Sequence, residues 1–109
     1  MDAHERSHLT LDWHDRRVVH GAATSLSLGA RAGADLTVSR AFASRDHAHI
    51  EKRKQFYVLI DHSTNGTFVQ TEDERVVFVR RGEVRLWGRG WLSLGEPLSP
   101  ESAIRFQQD

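Results

Sequence analysis

Polar and apolar residues alternate along most of this chain. Leu9, Leu11 and Trp13 are separated by Thr10 and Asp12, Leu26 and Leu28 by Ser27, Leu36 and Val38 by Thr37, and Ala48 and Ile50 by His49. A period of two puts one set of side chains on one face of an extended segment, so each run predicts a strand with one buried face. Phe56-Tyr57-Val58-Leu59-Ile60 is apolar throughout, the pattern of a central strand covered on both sides. Val76 to Val79, Val84 to Leu86, Trp91 to Leu94 and Ile104 to Phe106 add further short strands. Between them lie turn-forming stretches such as Lys52 to Lys54, Asn65-Gly66, Arg81-Gly82, Gly88-Arg89-Gly90 and Gly95-Glu96-Pro97. No segment keeps a helical period over ten residues, and Pro100 to Ala103 has room for one helical turn. Many short strands with frequent turns predict an all-β sandwich of two antiparallel sheets over residues 8–108, after a polar start at 1–7 that is expected to fray. Ala48, Ile50, Phe56, Val58, Ile60 and Phe68 are the expected core.

Composition narrows the function classes. At 109 residues the chain is the size of one domain. Its formal net charge is zero, so no long-range field draws nucleic acid or anionic lipid, and any anion must be held by local geometry. There is no cysteine, which excludes thiolate nucleophiles and cysteine-ligated zinc and fits a reducing compartment. The start lacks the apolar segment of a secretory leader, and no apolar run approaches the ~20 residues that span a bilayer. A cytoplasmic setting is expected, with neither membrane nor nucleic acid as partner. Of the seven histidines, His47 and His49 share a strand face, but no third ligand stands at a sensible spacing. No metal or other cofactor is therefore expected. Lys52-Arg53-Lys54 and Arg80-Arg81 read as charged hairpin tips, and Trp87 and Trp91 as core or edge packing. Nothing in the pattern fixes an oligomeric state.

Two polar loops carry the candidate chemistry. Ala43-Ser44-Arg45-Asp46-His47 enters one strand; His62-Ser63-Thr64-Asn65-Gly66 closes on the strongest short turn signal and enters another. Together they offer hydroxyls, an amide and a guanidinium, groups that grip an oxyanion and the backbone of a bound peptide. Ser44 and His47 do not make a hydrolase, because no third triad member or nucleophile elbow accompanies them. No catalytic residue is assigned.

Gly29, Ser44, His47 and the Thr64-Asn65-Gly66 run resemble the signature of the forkhead-associated (FHA) domain, a phosphothreonine-reading β-sandwich whose pattern is Gly-Arg, then Ser-x-x-His, then Thr-Asn-Gly. The resemblance covers about residues 9–106. It implies non-catalytic recognition of a phosphothreonine-containing protein or segment. Ser44, Arg45 and Thr64 would meet the phosphate, and Asn65 would pair with the peptide backbone. Gly29, His47 and Gly66 would support the loops. Ala30 stands where the family has its phosphate-binding Arg, so binding is expected to be weakened, with Arg31, Arg40 or Arg45 as replacements. Arg31 is in the opposite phase from Ala30 and would need a local bulge to reach the anion. The stretches Arg40 to Arg53 and Phe56 to Val69, with Arg80-Arg81-Gly82-Glu83-Val84, are similar to FHA domains appended to bacterial class III adenylate or guanylate cyclases. The alternative reading is a structural module that binds protein without reading phosphate.

Overall fold

The computed structural model describes residues 8–21 and 25–108, so the expected frayed start at 1–7 lies outside the described residues. Eleven strands follow in order: β1 (Leu9–Trp13), β2 (Arg16–His20), β3 (Ser25–Gly29), β4 (Leu36–Thr37), β5 (Ala48–Arg53), β6 (Phe56–Asp61), β7 (Thr67–Gln70), β8 (Val76–Val79), β9 (Glu83–Leu86), β10 (Arg89–Leu94) and β11 (Ile104–Gln108). They form a six-stranded sheet, β2-β1-β11-β10-β7-β8, and a five-stranded sheet, β4-β3-β5-β6-β9. There is no helix among the described residues; Ser99 to Ala103 makes one turn closed by Ala103 N–H on Ser99 O at 2.9 Å. All strand pairs are antiparallel but one: β4 runs parallel to β3, with Leu36 opposite Leu28.

The core lies between the sheets. Leu9, Leu11, Val69, Leu92, Ile104 and Phe106 come from the first, and Leu26, Leu28, Ile50, Tyr57, Leu59 and Leu86 from the second. Ala48 and Ile50 are buried as the alternation predicts, and Val58 is buried as expected for a strand covered on both sides. Three expected core residues are not. Phe56 and Ile60 are only half-buried, while Tyr57 and Leu59 between them are wholly buried. An all-apolar run carries no phase. Here the phase follows from the register with β5, which sets Ile50 opposite Leu59 and Arg53 opposite Phe56. Phe56 instead faces outward, with the Arg85 guanidinium 4.3 Å from its ring centre. Phe68 is likewise half-buried and packs on Phe78 across the β7–β8 hairpin, ring centres 4.9 Å apart. The Phe56→Ala substitution is therefore expected to cost only about 1 kcal/mol, a partial burial rather than a core deletion. A chemical-denaturation loss near that of a core aromatic would contradict this placement.

Strand β2 escapes the alternation rule because its residues are mostly exposed, with only His20 buried. The hairpin that creates it turns at His14-Asp15, with His14 at φ 56°, instead of at an Asn-Gly pair.

The topology also gathers three connections at one end. β3 ends at Gly29, β5 begins at Ala48, β6 ends at Asp61 and β7 begins at Thr67. Backbone bonds from Ala30 N–H to Ser44 O (2.9 Å) and from His62 N–H to His47 O (2.9 Å) lace these ends together.

Candidate functional site

The segment after β3 runs against the segment before β5 closely enough to exclude any side chain at Gly29. A Cβ there would lie 2.0 Å from Arg45 O and 2.9 Å from His47 N. That approach allows Arg31 N–H to reach Arg45 O at 3.2 Å, and His47 N–H to reach Leu28 O at 3.0 Å. Ala30 is thereby fixed beside Ser44.

Ser44 and the 61–67 loop meet directly. Thr64 N–H donates to Ser44 Oγ at 3.3 Å, which leaves the Ser44 hydroxyl its own hydrogen to donate elsewhere. The Thr64 and Asn65 side chains are exposed. Asn65 uses one amide hydrogen on Phe42 O at 3.2 Å, retaining a second N–H and its carbonyl oxygen for an approaching chain. Gly66 supplies the φ of 83° that closes the loop, and a Cβ on it would strike the Phe78 ring.

Beneath this surface lies a buried polar hub. His47 Nδ1 accepts from Ser44 N–H at 3.0 Å, so the ring proton sits on Nε2, which donates to Gly66 O at 2.8 Å and lies 3.1 Å from Thr67 Oγ1. One imidazole thus ties the 39–46 loop to the 61–67 loop. Asp61 accepts from Ser63 N–H (2.9 Å), Ser63 Oγ (2.9 Å), Thr67 Oγ1 (2.6 Å) and Arg81 N–H (3.0 Å). Ser63 Oγ in turn accepts from Gly66 N–H at 2.7 Å.

Burial is the largest influence on both ends of this hub, with opposite outcomes. It pushes the His47 pKa below the usual 6.5, outweighing the bond to Gly66 O and the nearby Asp61 charge. It pushes Asp61 upward, but the donors from Arg81, Thr67 and Ser63 together hold that carboxyl below its usual value of 3.8. His20 is lowered like His47, again chiefly by burial. A histidine whose folded pKa is depressed binds fewer protons folded than unfolded. Its stabilisation is present above the unfolded pKa of 6.5 and is lost as pH falls toward the folded value. The melting temperature is therefore expected to drop as pH is lowered from about 7.5 to about 5, before carboxylate protonation begins. A flat profile across that window would contradict neutral, buried His20 and His47.

The cations around the cleft are mostly committed. Arg31 Nε donates to Asp46 Oδ1 at 2.8 Å, and the side chain lines a hollow of about 310 Å³ with Ser27, Asp46, His49 and His62. Arg31 is partly exposed and Asp46 largely so, which makes the pair a weak restraint. Arg40 forks onto Glu96 with bonds of 3.0 and 2.8 Å, which pairs the one with the other. Arg45 is exposed and its side chain has no hydrogen bond or ion pair among the described residues. The structure thus brings Ala30, Ser44, Thr64 and Asn65 side by side, leaves Arg45 unengaged next to Ser44, and holds Arg31 on Asp46.

Sequence reasoning missed three contributors. Arg80 Nε donates to Thr64 O at 2.8 Å and Arg81 Nε to Ser63 O at 3.3 Å, so this pair anchors the 61–67 loop instead of decorating a hairpin tip. The register that sets Val79 opposite Thr67 delivers them there, but that pairing is not written in either segment alone. Phe42, 57% exposed, stands at the rim beside Asn65. Asp61, buried beneath the 61–67 loop, is the third. Among the described residues, no group of three or more His, Cys, Asp or Glu is arranged to hold a metal ion.

Comparison with known proteins agrees with the fold. The family model of the FHA domain matches residues 26–85. No curated protein matches by sequence. Among solved structures, the chain is similar to an FHA domain from work on phosphothreonine-dependent FHA domain interactions, at 26% identity and a TM-score of 0.69, covering 92% of this chain and 95% of that one. It is also similar to the FhaA FHA domain complexed with the intracellular domain of Rv3910, at 26% identity and a TM-score of 0.68, covering 93% and 99%. Rv1747 FHA-1 of Mycobacterium tuberculosis shares the fold at 21% identity and a TM-score of 0.75, covering 94% and 96%.

Proposed function

We propose that this chain, which belongs to the forkhead-associated (FHA) domain family, reads phosphothreonine with the cleft between its 29–34, 39–46 and 61–67 loops. The observation that carries the reading is the buried imidazole of His47, which by itself fixes the Ser44 loop to the Thr64-Asn65 loop while both expose unspent hydrogen-bonding groups. An FHA domain is a binding module, and no bond is made or broken in this scheme.

A phosphothreonine brings about −1.5 to −2 charges and three strong acceptor oxygens. The Ser44 hydroxyl donates to one of them. Thr64 adds a second hydroxyl, and Arg45 swings in from the rim as the available guanidinium. Arg31 contributes by exchanging the Asp46 carboxylate for phosphate, an exposed ion pair that costs little to break. Asn65 pairs through its remaining N–H and carbonyl with the peptide backbone. Ala30 leaves the deepest position without a guanidinium fork, so affinity is reduced rather than lost. The cyclase-like stretches support the further reading that the parent protein is a cytoplasmic nucleotide cyclase, with this domain regulating or targeting it.

The commitment of Arg31 to Asp46 and of Arg40 to Glu96 favours one competing reading, a module that binds protein without phosphate. The Ser44→Ala variant separates the two. It removes one donor to a charged group, which is expected to weaken phosphopeptide binding about tenfold, with little change in melting temperature, because the contact from Thr64 N–H is long. Equal affinity of wild type and Ser44→Ala for the phosphopeptide would sink the role given to Ser44.

A further inference from the structure

The two sheets have four edge strands, β2, β8, β4 and β9. β2 carries Arg16 and Arg17, β9 carries Glu83 and Arg85, and β4 is two residues long. These are the ordinary protections of an open edge. β8 has none. It reads Val76-Val77-Phe78-Val79, and among the described residues no strand pairs with its outer side. Val76 and Phe78 are 52% and 51% exposed on the outer face of the sheet.

The hairpin fixes the hydrogen-bond phase of that edge. Thr71 N–H bonds to Arg75 O at 3.0 Å where the β7–β8 hairpin closes. Antiparallel ladders alternate, so Val77 directs its N–H and C=O toward β7, while Val76 and Phe78 direct theirs to the open side. Two free donors and two free acceptors thus sit under two exposed apolar side chains.

We propose that β8 is a homodimerisation edge, pairing antiparallel with β8 of a second copy about a two-fold axis through Val77. Paired residues in an antiparallel ladder point to the same face, so an outer-face residue must meet another outer-face residue. Placing Val77 opposite Val77 sets Val76 against Phe78 of the second copy, and Phe78 against Val76. The groups facing outward then exchange four backbone hydrogen bonds. Beyond each strand end, the hairpin turn that carries Glu74 comes beside Arg80 of the second copy, so an acid and a base meet at both ends. Both side chains are exposed, and Glu74 lines the same hollow as Gln70, the ladder partner of Val76. Sliding the register by two residues in one direction sets Phe78 against Glu74; in the other direction it sets Val76 against Arg80. Of these registers only the one centred on Val77 matches apolar with apolar and acid with base. Its symmetry is closed, so it yields a dimer and not a filament.

The absence of cysteine from the chain makes the register directly testable. In the proposed dimer the two Val77 residues form a non-hydrogen-bonded pair, with Cα atoms about 4.5 Å apart, within disulfide reach. The Val77→Cys variant should oxidise to a covalent dimer, while Arg75→Cys, about 13 Å from its counterpart, should remain monomeric under the same oxidant. Sedimentation of the wild-type chain should show its mass rising toward twice the monomer as concentration increases. Val76→Lys, at an exposed position that needs no burial, should abolish that rise without lowering the melting temperature. A wild-type chain that stays monomeric at millimolar concentration would overturn the proposal and leave the edge to a different protein strand. Val76→Lys dimerising as well as wild type, or Arg75→Cys crosslinking as fast as Val77→Cys, would overturn it equally.

Discussion

Replacing Asp61 with alanine is expected to destabilise the domain by about 3–5 kcal/mol, more than any change at the exposed rim of the cleft. The side chain is fully buried, and its two oxygens collect Ser63 N–H, Ser63 Oγ, Thr67 Oγ1 and Arg81 N–H. Alanine offers none of these an acceptor, and water has no easy access to replace it. Each buried donor left unmade costs roughly 1–3 kcal/mol, part of which local relaxation recovers. The damage would spread because Ser63 Oγ also receives Gly66 N–H, and Gly66 O receives His47 Nε2. Asp61→Asn should cost less, since it keeps the shape and one acceptor oxygen but aims an NH₂ at a donor. Denaturant titrations of the three proteins check this order. An Asp61→Ala loss below about 1 kcal/mol would mean that the hub does not hold the loops.

Introducing arginine at position 30 is expected to strengthen phosphothreonine binding at least tenfold while leaving the unphosphorylated peptide unaffected. A charge-assisted hydrogen bond contributes roughly 1.5–3 kcal/mol, and each 1.4 kcal/mol is a factor of ten. Ala30 is already pinned next to Ser44 by its own N–H, so the new side chain starts from the cleft wall and reaches the anion with a planar fork. The wild-type domain should bind with a Kd above about 1 µM. The outcome also identifies the native cation. If Arg31 leaves Asp46 to hold the phosphate, Arg31→Ala abolishes binding and Ala30→Arg adds little, because the anion is already gripped. If Arg45 is the principal cation, Arg45→Ala has the larger effect. Tight native binding that survives Arg31→Ala and Arg45→Ala together would show that other groups hold the phosphate.

The strands were readable wherever one face is polar. Leu9 and Leu11, Leu26 and Leu28, and Ala48 and Ile50 each announce their buried side, because the alternating polar partner fixes the phase. The reading failed where that partner is missing. In Phe56 to Ile60 both faces are apolar, and only pairing with β5 decides that Tyr57 and Leu59 point inward. It failed again at β2, whose two arginines and exposed valine leave no inward stripe to detect. The loops were readable as a set because Asn65-Gly66 demands a turn and because Gly29, Ser44, His47 and Thr64-Asn65-Gly66 together resemble the FHA signature. The tethering of Arg31 and Arg40 was not, since Asp46 and Glu96 are brought to them by tertiary structure, 15 and 56 residues away in sequence. The same holds for Arg80 and Arg81, which reach the 61–67 loop only through the β7–β8 register.

The proposed function rests on phosphate recognition by the 29–34, 39–46 and 61–67 loops. The most direct test is calorimetric titration of the wild-type domain with one phosphothreonine peptide, chosen from a phosphorylated library, and with the same peptide unphosphorylated. Saturable binding of the phosphorylated form, with no measurable binding of the other, is the result expected. Equal binding of both, or of neither at millimolar peptide, would contradict it.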